Sequence, residues 1–132
     1  MSIDEARAYA ERSHLYLANA ASTIRQQRPE KSSEFLWGAM AEALKAVAAI
    51  KDIKLRSHDA IRRYARDLAK EREDEQLSTS FKIAQTLHSN FYEGFSDLGE
   101  VMDDSARIRE AVERLLRLIP PQQGSRTEEG GE

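Results

Sequence analysis

The chain contains no cysteine. Disulfides, thiolate-held metals and thiol nucleophiles are therefore excluded, and the composition fits a reducing compartment. Proline and glycine are scarce, with three and six among 132 residues, so little in the sequence breaks a helix or supplies a left-handed turn. Nowhere is there a run of about 18 uncharged apolar residues, which leaves no candidate membrane span. The opening Met-Ser-Ile-Asp-Glu lacks the basic region and apolar run of an export signal. The expectation is a cytoplasmic protein that makes no use of a membrane.

An excess of one charge is also missing. Twenty basic residues stand against 23 acidic ones, a net charge of −3, so the chain as a whole is not an electrostatic binder of nucleic acid. The distribution is less even. Lys51 to Arg72 holds eight basic residues and four acidic ones, whereas the five charges between Glu93 and Asp104 are all negative. Such asymmetry either steers an anionic ligand to one face or pairs two subunits head to tail; the plainer reading is a solvated helix face and an acidic loop.

What is abundant is Ala, Leu, Glu and Arg, a helical composition. The chain is long enough for one core. Ser2 and Glu5 have the capping-box spacing, and apolar residues from Ala6 to Ile24 recur at three- and four-residue intervals, predicting a helix over about 3–27. After Pro29, a second helix capped by Ser32 or Ser33 runs to Ile50 or Lys51. A third is capped by Ser57, with Ile61, Tyr64, Ala65 and Leu68 inward, and ends in the charged run Glu71 to Gln76. A fourth starts at Ser78 or Ser80 and carries Phe81, Ile83, Ala84, Leu87 and Phe91, with Gly94 as a left-handed stop. A fifth, capped by Asp103 or Asp104, ends before Pro120-Pro121. Short connections favour antiparallel neighbours. The reading is all-α: an up-and-down bundle of four to five antiparallel helices over residues 1–121, followed by a disordered tail, 122–132. The Ala-rich stretches Ala18–Ala21 and Ala39–Ala49 allow close helix approach, within the bundle or across a homodimer interface.

Two polar-aromatic words stand out. Ser33 to Ala39 reads Ser-Glu-Phe-Leu-Trp-Gly-Ala, and Leu87 to Tyr92 reads Leu-His-Ser-Asn-Phe-Tyr. Glu34 and Trp37 share a helix face, and Gly38 beside them signals close approach by another helix or by a ligand. His88 and Tyr92, four apart, also share a face, while Asn90 points about 200° away from His88. His88 is then the candidate acid or base, or a structural histidine, with Tyr92 able to bond the same ligand and Asn90 ordering a loop or partner helix. His14 and His58 read as surface or cap residues. The three histidines have no mutual ligand spacing, so neither a metal nor a cofactor is expected. Phosphate-loop and nucleophile-elbow motifs are missing as well.

On these two words the chain, over roughly residues 5–118, resembles the PaREP-type small helical proteins, which belong to the HEPN superfamily of helical bundles. The resemblance implies a bundle and often a dimer. Many HEPN domains are metal-independent ribonucleases that pair an Arg with a His four to six residues later, the His acting as acid or base and the Arg stabilising developing charge. His88 matches the histidine, but Lys82 stands at the Arg position. A lysine lacks the guanidinium fork, and six residues along a continuous helix set the two side chains roughly 240° apart. Other members are silent partners of small nucleotidyltransferases in toxin-antitoxin-like pairs.

Three readings follow. The first is a non-enzymatic dimeric bundle that binds a partner protein, a nucleotide or RNA through Glu34, Trp37, His88, Asn90 and Tyr92. The alternative is a metal-independent RNA endonuclease using His88, with basic help from Lys82 or from Arg62, Arg63 and Arg66. The third is structural: Trp37 anchors the core and a buried Glu34 raises the pKa of His88.

Overall fold

The computed structural model describes residues 2–93 and 97–121, the side chains of residues 90–93 excepted. Among the described residues there are five helices and no strand: α1 (Ile3–Arg25), α2 (Pro29–Ile50), α3 (His58–Glu71), α4 (Glu75–Glu93) and α5 (Leu98–Leu116). None is long and apolar enough to cross a membrane. Gly94 and the segment 122–132, expected to act as a helix stop and a disordered tail, lie outside the described residues.

Three helix starts differ from those the sequence suggested. α2 begins at Pro29 itself, because proline suits the first helical position, where its missing N–H costs nothing. Ser32 and Ser33 are inside the helix and buried; their hydroxyls donate to the carbonyls of Arg28 and Pro29 at 2.8 and 2.9 Å. α4 starts before Ser78, with Asp74 Oδ1 accepting the Leu77 N–H at 3.0 Å. α5 is capped by Asp97, whose Oδ1 accepts from Gly99 and Glu100 at 2.8 and 3.3 Å. Asp103 and Asp104 sit within that helix. Ser57 does cap α3, accepting the Ala60 N–H at 3.0 Å.

Glycine scarcity reappears at the helix ends. Gln27, Asp52 and Glu73 have φ of 58°, 58° and 52°. At each, the left-handed residue bonds back three positions and the next residue bonds back five, as in Arg28 N to Thr23 O at 2.9 Å, Ile53 N to Ala48 O at 3.0 Å and Asp74 N to Ala69 O at 2.8 Å. This is the Schellman closure, made three times without the glycine that usually accommodates it.

α2 is the centre of the fold and packs against the other four helices. Its alanines explain why: Ala39, Ala41, Ala43, Ala46, Ala48 and Ala49 are all buried, so the helix is enclosed nearly all round. α1 folds back along it. Thr23 Oγ1 meets Ser32 Oγ at 2.7 Å beside the connecting turn, Ser13 Oγ donates to Ala39 O at 2.7 Å midway, and Ser2 N donates to Ala49 O at 3.2 Å at the far end. Leu17, Leu36, Met40, Leu44, Leu87 and Ile108 fill the centre, each contributing about 1.5–3 kcal/mol of burial.

Candidate functional site

Trp37, His58 and His88 come from three helices and meet at one place. On α2, Trp37 continues a stripe through Ala41, Leu44 and Ala48, which holds its indole towards α3 and α4. On α3, Ser57 fixes the helix start, so His58 becomes the first member of the stripe Ile61, Ala65 and Leu68. On α4, His88 follows Phe81 and Ala84 along the inward face.

The ring centroids are 4.8 Å apart for Trp37 and His58, 5.0 Å for Trp37 and His88, and 5.3 Å for the two histidines, with planes inclined by 19°, 30° and 26°. These are offset-stacked separations arranged as a nearly equilateral triangle. Phe81 closes the inner side, tilted at 57° and 5.8 Å from Trp37. Trp37 and His88 are half-buried and His58 is exposed, so the outer surface of the cluster is largely His58.

The cluster borders an open hollow of about 670 Å³. Tyr16 and Phe35 form an adjoining aromatic wall, their centroids 6.0 Å apart. Here the reason for Gly38 is plain. A Cβ at that position would stand 2.9 Å from Tyr16 Cδ2 and 3.1 Å from Cε2. The close approach is made by the ring of α1, and that ring lines the hollow.

Four charged residues line the hollow as well: Glu34, Glu42, Lys45 and Arg56. Glu34 is paired with Lys31 at 3.2 Å. Glu42 is held by Arg12 at 2.9 Å and by Lys45 at 3.4 Å, which offsets its charge. Arg56 has no carboxylate partner among the described residues. Burial pushes the pKa of His88 down, and the neighbouring His58 adds to the shift. This is opposite to the effect of a carboxylate partner, so the raised pKa expected from a buried Glu34–His88 pair is corrected. His88 is a neutral imidazole at neutral pH, able to donate and accept one hydrogen bond each.

The structure thus brings Glu34, Trp37 and His88 to one hollow and adds His58, which the sequence read as a surface or cap residue and which is exposed while it packs against the other two rings. The signal for His58 was its place at the head of the Ile61–Ala65–Leu68 stripe. Lys82 is elsewhere, in a second hollow between α3 and α4 that also holds Arg62 and Arg66. Asn90 and Tyr92 fall on the last turn of α4, where side chains are not described. Among the described residues no three His, Asp or Glu side chains converge as metal ligands would.

Over the described residues, fold and site together define a small all-helical protein with an aromatic, cation-bearing hollow lined from four helices. Residues 8–112 match the archaeal PaREP1/PaREP8 family, and the chain belongs to that family. No curated protein matches the chain, and no solved structure does.

Proposed function

We propose that this protein is a non-catalytic binding module that holds a nucleotide or an RNA base against the Trp37–His58–His88 cluster. The observation that carries this reading is the triangle of near-parallel rings beside Arg56 and Lys45. A planar base gains by stacking on such rings, about 1–3 kcal/mol per base. A phosphate in the hollow gains from Arg56, whose planar fork matches phosphate oxygens. Glu34 then supplies an acceptor for a base edge.

The same reading takes the chain to be an up-and-down antiparallel bundle of HEPN type that forms a homodimer. In a toxin-antitoxin-like setting its protein partner is a small nucleotidyltransferase. Equilibrium dialysis of AMP and GMP against the wild type, Trp37→Ala and His88→Ala tests the binding claim. Saturable binding without turnover, lost in both variants while helicity is retained, is the expected result. Binding that survives both substitutions defeats it.

A metal-independent endoribonuclease is the second reading, favoured by the two imidazoles 5.3 Å apart. Neutral His88 would take the proton of a ribose 2′-hydroxyl as its oxygen attacks phosphorus. His58, as the general acid, would give a proton to the departing 5′-oxygen, leaving a 2′,3′-cyclic phosphate. Arg56 and Lys45, rather than Lys82, are the cations near this pair. Cleavage of RNA in the presence of chelator, abolished by His88→Ala, is what this reading requires. Intact RNA at catalytic and stoichiometric protein excludes it.

A further inference from the structure

The second hollow lies directly beyond Phe81. Phe81 lines it on one side and packs against Trp37 on the other. Its charged lining is Arg62, Arg66 and Lys82, with no carboxylate. The two hollows share no lining residue, but they lie one helical turn apart along both walls. Arg62 is one turn after His58 on α3, and Gln85 is one turn before His88 on α4. Arg62 is paired with Asp59 at 2.5 Å and Arg66 with Asp67 at 3.6 Å, in exposed bridges of little strength that a phosphate can replace. Lys82 is exposed and has no carboxylate partner among the described residues.

We infer that the α3–α4 groove carrying Arg62, Arg66 and Lys82 is a track for the backbone of a single-stranded nucleic acid whose terminal or unstacked base rests on the Trp37–His58–His88 cluster. The inference rests on the nucleotide reading of that cluster and makes the ligand a polynucleotide. From His58 to Arg66 a helix rises about 12 Å. A strand advances about 3.4 Å per nucleotide when stacked and further when stretched, so the track takes roughly two to three nucleotides. Cations along the backbone with aromatic rings at one end are the combination that binds single strands with little sequence preference. A duplex fits poorly, since its bases are not free to reach the rings. An acidic protein segment would use the cations and leave the rings idle.

The test uses the full chain. Fluorescently labelled hexamers of RNA and of DNA, an oligo-aspartate peptide of equal charge and unlabelled AMP are titrated at several salt concentrations. Either hexamer should bind at least about tenfold more tightly than AMP, with log K falling against log salt at a slope near −2 for three cations. The double variant Arg66→Ala, Lys82→Ala should weaken hexamer binding about tenfold and flatten that slope while leaving AMP affinity unchanged. Both residues are exposed, and circular dichroism checks that the fold is retained. If AMP and the hexamers bind equally well, or the double variant leaves the hexamer isotherm unmoved, the track is wrong and the ring site stands. If the aspartate peptide binds as well as the hexamers, the groove belongs to acidic proteins and the inference fails. If neither AMP nor a hexamer binds, the ring-site reading falls with it.

Discussion

The imidazole of His58 lies 4.8 Å from the indole of Trp37 and 19° from parallel to it. This contact joins the first residue of α3 to the central helix, so the cap at Ser57 and the site are mechanically linked. Removing the Ser57 hydroxyl by Ser57→Ala should cost about 1 kcal/mol and broaden the NMR resonances of His58. If those resonances stay sharp and unshifted, the cap does not hold the ring.

Stability should fall in mild acid through His88. Its folded pKa lies below the ordinary value because of burial and His58, so between the two pKa values the unfolded chain binds the extra proton and unfolding gains. The contribution of the neutral imidazole is complete above about pH 6.5 and is lost as pH falls through the unfolded and then the folded pKa. Denaturant midpoints at pH 7.5 and 5 should therefore differ more for the wild type than for His88→Gln. An equal difference in the two proteins removes His88 from the account.

Gly38 and Tyr16 should be coupled. Alone, Gly38→Ala gains up to about 1 kcal/mol of helix propensity but forces the Tyr16 ring aside, an overpacking cost of about 1–3 kcal/mol. A net loss is expected. In a Tyr16→Ala background the obstacle is gone, and Gly38→Ala should stabilise. A double-mutant cycle reads the difference directly, and a zero coupling energy contradicts the contact.

Much of the fold was legible in the sequence, and its misreadings have physical causes. The α3 start follows from its Ser57 cap and the inward stripes from local periodicity, which a single helix expresses by itself, whereas Ser2, expected in a capping box with Glu5, precedes α1 without a side-chain cap hydrogen bond. The true start of α2 was hidden because Pro29 reads as a break when seen without its position. Ser32 and Ser33 look like caps until burial turns their hydroxyls back onto the helix. For α5, the pair Asp103 and Asp104 drew attention from Asp97, whose capping bonds are specific. The site was half legible. Glu34, Trp37 and His88 stand in conspicuous words, but His58 belongs with them only through tertiary packing, and Lys82 lines a different hollow. Asp97→Ala should cost about 1 kcal/mol, whereas Asp103→Ala should change stability by less than about 0.5 kcal/mol.

Two of the three left-handed helix ends offer a gain in stability. Replacing Gln27 or Glu73 by Gly relieves the Cβ strain of positive φ, partly offset by a more flexible unfolded chain. Each change should stabilise by about 0.5–1 kcal/mol in denaturant unfolding. Destabilisation at both would show that these side chains do something other than tolerate the turn.

Because Trp37 is the only tryptophan, its emission reports on the ring cluster alone. The most direct measurement is therefore a fluorescence titration of the wild type with AMP at neutral pH, repeated with ribose 5-phosphate, which has the phosphate and no base. Saturable quenching by AMP, absent with ribose 5-phosphate, is predicted. Emission that is unchanged by AMP up to millimolar concentration would contradict the claim that a base rests on Trp37, His58 and His88.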